Sequence, residues 1–206
     1  MWKNTYLKGK TMVQELEIEF KNVLTKEQYE NLLEKFHVTE EMIVRQTNHY
    51  FDTKDFHLKK LFSGLRIRET QSKIVCTLKE RTAENTHLET TDFLTKEQAE
   101  LMLSGKGFFA ESVKAKLLEL AIPLEKLSVF GTLTTDRVEL SYKGGTIVFD
   151  HSFYLNCDDF EVEYETDEEN LGKEIFDSFL NENNIPKVTA DKKIARFMNA
   201  LNRQKG

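Results

Sequence analysis

The chain has 206 residues, a formal net charge of −6 and 39% hydrophobic residues, enough to bury one sizeable core. The acidic balance argues against a broad nucleic-acid-binding face, yet leaves room for a local basic pocket among its 29 lysines and arginines. No window is long and apolar enough for a membrane span, and Cys76 and Cys157 are too far apart for metal-type spacing, so two reduced, partly buried thiols in a cytoplasmic protein are expected.

Residues 1–12 lack the apolar stretch of a secretory signal and read as a polar N-terminal extension, with Met12 an alternative start. The segment Glu15–Asn22 (E-L-E-I-E-F-K-N) then alternates without a break, which is the mark of a half-buried strand. T-K-E-Q at Thr25–Gln28 is a capping box that opens a helix carrying Tyr29, Leu32, Leu33 and Phe36 on one face. Strands follow up to Asp52, over Gly64–Thr70, over Lys73–Arg81 and, shorter, over His87–Phe93. A second T-K-E-Q box, Thr95–Gln98, opens a short helix through Met102, and Ser112–Ala121 reads as a third helix. Strands over Leu133–Lys143 and Thr146–His151 are joined by the hairpin signal Gly144-Gly145, and Phe160–Glu165 is the last clear strand. Leu171, Ile175, Phe176, Phe179 and Leu180 make a fourth amphipathic helix. Ile194, Phe197, Met198 and Leu201 make a fifth, started by Thr189 or Asp191. With two prolines and no Pro/Gly/Ser-rich linker, one continuous domain over 13–203 is expected, α+β with a mostly antiparallel sheet.

The polar faces of these strands segregate by sign. Glu15, Glu17 and Glu19 precede Lys21 on one strand, and Glu161, Glu163 and Glu165 share another. Arg66 and Arg68 share a third, and Lys73, Lys79 and Arg81 a fourth. Any one of these is ordinary for a sheet with one wet face; as a set they are not, because a plain surface mixes signs. Same-face neighbours on a strand lie about 7 Å apart. At an effective dielectric of about 20, two carboxylates at that distance repel by roughly 2 kcal/mol. In a concave site such an arrangement calls for a cation, and oxygen ligands select Mg²⁺, Mn²⁺ or Ca²⁺. The basic strands call for an anion, and a polyphosphate bridged to divalent metal satisfies both. The sheet is therefore expected to curl with its charged faces inward and its helices on the apolar outside.

Glu17-Ile-Glu19-Phe-Lys21 resembles the E-x-E-x-K signature of the CYTH superfamily, the triphosphate tunnel metalloenzymes. Further matches come in the family's order: Tyr50-Phe51-Asp52-Thr53 with Y-x-D-T, Leu65-Arg66-Ile67-Arg68 with L-R-x-R, and Thr77-Leu78-Lys79 with T-x-K. Arg137, Asp150 and the pair Glu161-Val162-Glu163 follow, and Lys193 and Arg196 resemble the C-terminal S-K-x-x-R element, so the similarity runs from about Val13 to Leu201. The resemblance implies a closed, antiparallel eight-stranded barrel, the triphosphate tunnel, with flanking helices. It implies that Glu17, Glu19, Asp150, Glu161 and Glu163 bind Mg²⁺ or Mn²⁺. It implies that Lys21, Arg66, Arg68, Lys79, Arg137, Lys193 and Arg196 hold a small-molecule triphosphate, with Glu17, Glu19 and Lys193 at the reacting centre. Tyr50 either orients a proton-transfer group there or packs at a sheet edge.

Lys192 stands where the family often has Ser, while Glu15 and Glu165 read as solvated strand-end charges. His37, His49, His57, His87 and His151 show no ligand spacing; His151, beside Asp150, is the least secure of these. Three functions remain open: a metal-dependent hydrolase of inorganic triphosphate, thiamine triphosphate or a nucleoside triphosphate; an adenylyl cyclase, which needs a base-binding pocket and shows no adenine-reading motif; and a non-catalytic polyphosphate-binding module. Neither nucleic acid nor membrane is expected as a partner.

Overall fold

Alternation of charged and apolar side chains becomes nine strands in the computed structural model, which describes residues 5–7, 10–188 and 193–205. In chain order these are β1 (Thr5–Leu7), β2 (Lys10–Leu24), β3 (Val44–Asp52), β4 (Gly64–Glu69), β5 (Ile74–Arg81), β6 (Thr86–Leu94), β7 (Ser128–Tyr142), β8 (Gly145–Tyr154) and β9 (Cys157–Thr166). Among the described residues there are six α-helices: α1 (Lys26–Lys35), α2 (His57–Lys60), α3 (Lys96–Leu103), α4 (Glu111–Glu119), α5 (Glu169–Glu182) and α6 (Lys193–Lys205). The strand order is β1-β2-β6-β5-β4-β3-β7-β8-β9, and β2 also pairs with β9, so β2 to β9 close into an eight-stranded antiparallel barrel. Closure removes the open strand edges that invite aggregation.

Both T-K-E-Q boxes form as the sequence predicts. Gln28 N donates to Thr25 Oγ1 at 3.2 Å while Thr25 N donates to Gln28 Oε1 at 2.9 Å, and Thr95 and Gln98 repeat the same two bonds. The chain divides into two compact units, one built from Met1–Glu17 and Thr47–Thr132, the other from Ile18–Gln46 and Leu133–Gly206. In the first unit, Phe51, Leu65, Ile67, Cys76 and Leu78 on the strands pack on Leu58 of α2, Met102 of α3, and Val113 and Leu117 of α4. In the second, Phe20, Val138, Phe149, Val162 and Tyr164 pack on Leu32 of α1 and Phe176, Phe179 and Leu180 of α5. Within each unit the apolar strand faces meet helices, which leaves the opposite, charged faces on the side away from the helices.

Several elements differ from the sequence expectation. β2, β6, β8 and β9 overrun their expected stretches at both ends and β7 at its start, β4 and β5 each fall one residue short at one end, and β1 pairs antiparallel with the start of β2. The hairpin turn is Lys143-Gly144, both at positive φ (44° and 86°), as a type I′ turn requires. Gly145 opens β8 instead, because a Cβ there would strike Glu165 O and lie 2.7 Å from Tyr164 Oη. α4 begins one residue earlier and ends two earlier than its pattern predicts. The four-residue helix α2 is too short to show periodicity. Asp52 stabilises it by accepting from Leu58 N at 3.0 Å and Lys59 N at 3.1 Å. Cys76 is buried as expected, but Cys157 is exposed at the first position of β9. The expected cap at Thr189 or Asp191, the departure at Lys192, and the side chains of Met12, Ile194 and Leu201 lie outside the described residues.

Candidate metal and phosphate site

Strand register gathers the acidic residues of the second unit. β7 sets Arg137 across from Asp150, β8 sets Asp150 across from Glu161, and β9 sets Glu163 across from Lys21 of β2. Because side chains alternate, all of these share the face opposite the helix-packed core. Asp150 is 1% exposed and Glu161 0%. Burying that much charge is tolerable only with partners, and the partners are basic. Arg137 grips Asp150 and reaches Glu163 at 2.8 Å. Lys193, the first residue of α6, brings Nζ within 2.5 Å of Asp150, 2.8 Å of Glu163 and 3.0 Å of Glu161. Arg196, one turn later on α6, holds both oxygens of Asp159 at 2.9 Å and Glu161 at 2.7 Å. The Tyr154 hydroxyl donates to Asp159 at 2.5 Å; burial and this bond push its phenol up to about 12, so it remains a donor at neutral pH.

The electrostatics follow from that packing. Burial alone would raise the Glu163 carboxyl, but Lys193, Arg137 and Lys21 outweigh it and hold it well below the ordinary carboxylate range. Asp150 is lowered by the same contest, in which Arg137 and Lys193 overcome desolvation. Burial would lower the Lys193 ammonium, but Asp150, Glu163 and Glu161 hold it well above the usual lysine value. Asp150 and Glu163 are therefore ionised at neutral pH.

Glu19 and Lys21 pair along β2 at 2.8 Å. In the first unit Lys79 of β5 pairs with Glu17 of β2 and lies 3.6 Å from Glu89 of β6, which is 3.9 Å from Arg66. Arg68 Nε donates to Asn48 Oδ1 at 2.9 Å. Tyr50, across the ladder from Arg66, packs its ring 6.5 Å from Phe130. Glu17 and the buried His87 have ligand-capable atoms within 4.8 Å of each other.

Of the residues the sequence singles out, Asp150, Glu161, Glu163, Arg137, Lys193 and Arg196 thus come together in one cluster. Glu19 pairs with Lys21, Glu17 with Lys79, and Arg66 reaches a carboxylate that was not singled out. Glu15 is exposed, as a solvated charge should be, whereas Glu165 is half-buried and lies 3.7 Å from Arg137. Sequence reasoning missed Asp159, Glu89 and His87. Asp159 continues the alternation that carries Glu161 and Glu163, and Glu89 lies directly across from Lys79, so both had a signal. His87 had none, because its approach to Glu17 depends on the fold alone. His151 turns away from Asp150 and bonds Asp158 at 2.9 Å.

The donor set suits a hard divalent cation. The carboxylates of Asp150, Glu161 and Glu163 converge on one ammonium and offer only oxygen, the donor type that Mg²⁺ and Mn²⁺ prefer.

A family model for the CYTH domain matches residues 15–198. The chain is 40% identical over 186 residues to YjbK of Bacillus subtilis strain 168, provisionally named a triphosphatase; the match covers 90% of this chain and 96% of YjbK. A solved structure from Bacillus halodurans, provisionally named an adenylate cyclase, is 39% identical, with a TM-score of 0.86 over 89% of this chain and 98% of that one. HpAC1 from Hippeastrum, a provisional adenylyl cyclase described as having a dominant triphosphatase activity, is 22% identical with a TM-score of 0.74, covering 90% of this chain and 96% of its own. At that identity the likeness bears on the fold alone.

Proposed function

We propose that this chain, which belongs to the CYTH family, is a divalent-metal-dependent hydrolase of a small triphosphate. The observation that carries the reading is the convergence of Asp150, Glu161 and Glu163 on Lys193, flanked by Arg137 and Arg196, on one strand face. The name of its 40%-identical relative points the same way. The functional domain is assigned to residues 13–203, with 1–12 as an extension, and the compartment to the cytoplasm.

Glu17, Glu19, Asp150, Glu161 and Glu163 are assigned to holding Mg²⁺ or Mn²⁺. Such an ion, when bound, supplies Lewis-acid stabilisation of charge on phosphoryl oxygens. Lys21, Arg66, Arg68, Lys79, Arg137, Lys193 and Arg196 are assigned to the triphosphate oxygens, the arginines bidentately where the fork fits. Held that way, the terminal phosphorus is oriented for water while charge on the leaving oxygen is met by fixed cations. Tyr50 is assigned to orienting the proton transfer.

The cyclase name of the Bacillus halodurans relative keeps a second reading in view. One experiment separates the two: incubate the protein with inorganic triphosphate, thiamine triphosphate and ATP plus Mg²⁺ or Mn²⁺, and measure orthophosphate and cyclic AMP together. Orthophosphate without cyclic AMP is expected. Cyclic AMP with pyrophosphate, or tight binding without turnover, overturns the reading.

A further inference from the structure

Phe62 is 66% exposed, so its ring contributes little to folding. It also has a φ of 52°, at the position following the last turn of α2, where Ser63 N closes back onto Leu58 O at 2.9 Å. That position favours glycine, and a bulky residue there is an outlier. An exposed aromatic side chain kept at a strained position is a candidate for a role outside the core.

Its surroundings suggest the role. The Arg81 guanidinium lies 5.9 Å from the Phe62 ring centre and is tied by Nε to Ala83 O at 3.1 Å. Arg81 is two residues beyond Lys79 on the same face of β5, and Lys79 lies across from Gly64 in the β4 ladder. Phe62 and Arg81 therefore stand one strand repeat, about 7 Å, beyond the row holding Lys79. Gly64 leaves the space between open, since a Cβ built there meets nothing within 4 Å.

From this we propose that Phe62 and Arg81 form a stacking platform for a planar heteroaromatic group carried on the triphosphate. The preferred substrates are then organic triphosphates bearing a base, such as nucleoside triphosphates, in preference to inorganic triphosphate. This rests on the triphosphatase reading. An aromatic face beside an arginine plane stacks any base without reading its edges, so selectivity among bases is weak.

The test is kcat/KM for ATP and for inorganic triphosphate, with Mg²⁺ or Mn²⁺, in the wild type and in Phe62→Ala, Phe62→Trp, Phe62→Gly and Arg81→Gln. Phe62→Ala lowers the ATP-to-inorganic ratio about tenfold, through KM, at the lower end of what losing base stacking costs. Phe62→Trp keeps the ratio. Phe62→Gly lowers it while raising the melting temperature, because glycine relieves the backbone. A ratio unmoved in both Phe62→Ala and Arg81→Gln overturns the platform and leaves the triphosphatase reading intact. If the wild type hydrolyses neither substrate, the triphosphatase reading falls. Equilibrium dialysis of ATP with Mn²⁺ then decides the platform: weaker binding by Phe62→Ala supports it, and equal or no binding overturns it.

Discussion

Arg137 on β7 grips both oxygens of Asp150 on the neighbouring strand, through Nε at 2.8 Å and Nη2 at 2.6 Å. The pair is buried, so removing Arg137 leaves two buried carboxylates, Asp150 and Glu163, sharing the Lys193 ammonium. Arg137→Met should therefore destabilise the metal-free protein by about 3 kcal/mol or more in urea unfolding with EDTA. Mn²⁺ should recover part of the loss, since a cation can replace the missing charge. An unchanged urea midpoint in EDTA contradicts this account of the pair.

Glu19 is buried beside Lys21 on the same acidic face. Glu19→Ala should lower metal-dependent turnover at least about 100-fold, the scale of losing one preorganised electrostatic group, with an unchanged near-ultraviolet circular dichroism spectrum. Retained activity removes Glu19 from the site. Arg66→Ala should weaken triphosphate binding roughly tenfold or more, as loss of a charged hydrogen bond does, while Mn²⁺ binding measured by calorimetry stays within twofold.

The pH dependence of stability has a definite sign. The Asp150 and Glu163 carboxyls lie below their ordinary values of 3.8 and 4.5 in the fold, because Arg137 and Lys193 outweigh the cost of burial. A lowered folded pKa contributes stability that is fully present above the ordinary value and is lost as pH falls through the folded one. In EDTA, this contribution should stay level from neutral pH down to the ordinary carboxylate range and collapse only below it. Lys193→Met removes one of the cations and should shift the collapse to higher pH. Urea midpoints measured across pH decide the matter, and a wild-type contribution already fading near neutrality counts against the buried network.

Gly145 tests the fold apart from the site. A Cβ there meets the Glu165 carbonyl oxygen and the Tyr164 ring and hydroxyl, and that hydroxyl donates to the carbonyls of Tyr142 and Lys143 at 3.1 Å. Gly145→Ala should cost about 1–3 kcal/mol through overpacking, read as a lower urea midpoint with an unchanged slope. Gly144→Ala should be destabilising for a different reason, its φ of 86°.

The barrel strands were legible because one face of each had to be apolar to meet a helix; Leu65 and Ile67 against Arg66 and Arg68 state this in four residues. Both T-K-E-Q boxes were equally plain, since capping is a local interaction. The β7–β8 turn was displaced by one residue because Gly144-Gly145 looks like a turn pair, whereas Gly145 is required by a packing contact with Tyr164. The acidic and basic residue types were legible, but their partners were not. Lys79 meets Glu17 from 62 positions away, and Lys193 meets Asp150 from 43, separations that no local pattern encodes. His87 read as a histidine without ligand spacing for the same reason, since only the fold brings it near Glu17.

The central claim is that ionised carboxylates on these strand faces serve a divalent cation in triphosphate hydrolysis. Its most direct test is orthophosphate release from a small triphosphate in EDTA, followed by titration with Mn²⁺ or Mg²⁺, in the wild type and in Glu163→Gln. The expected result is no release in EDTA, saturable restoration by metal in the wild type, and little or none in Glu163→Gln. Turnover that ignores EDTA, or a Glu163→Gln protein that responds to metal as the wild type does, would contradict it.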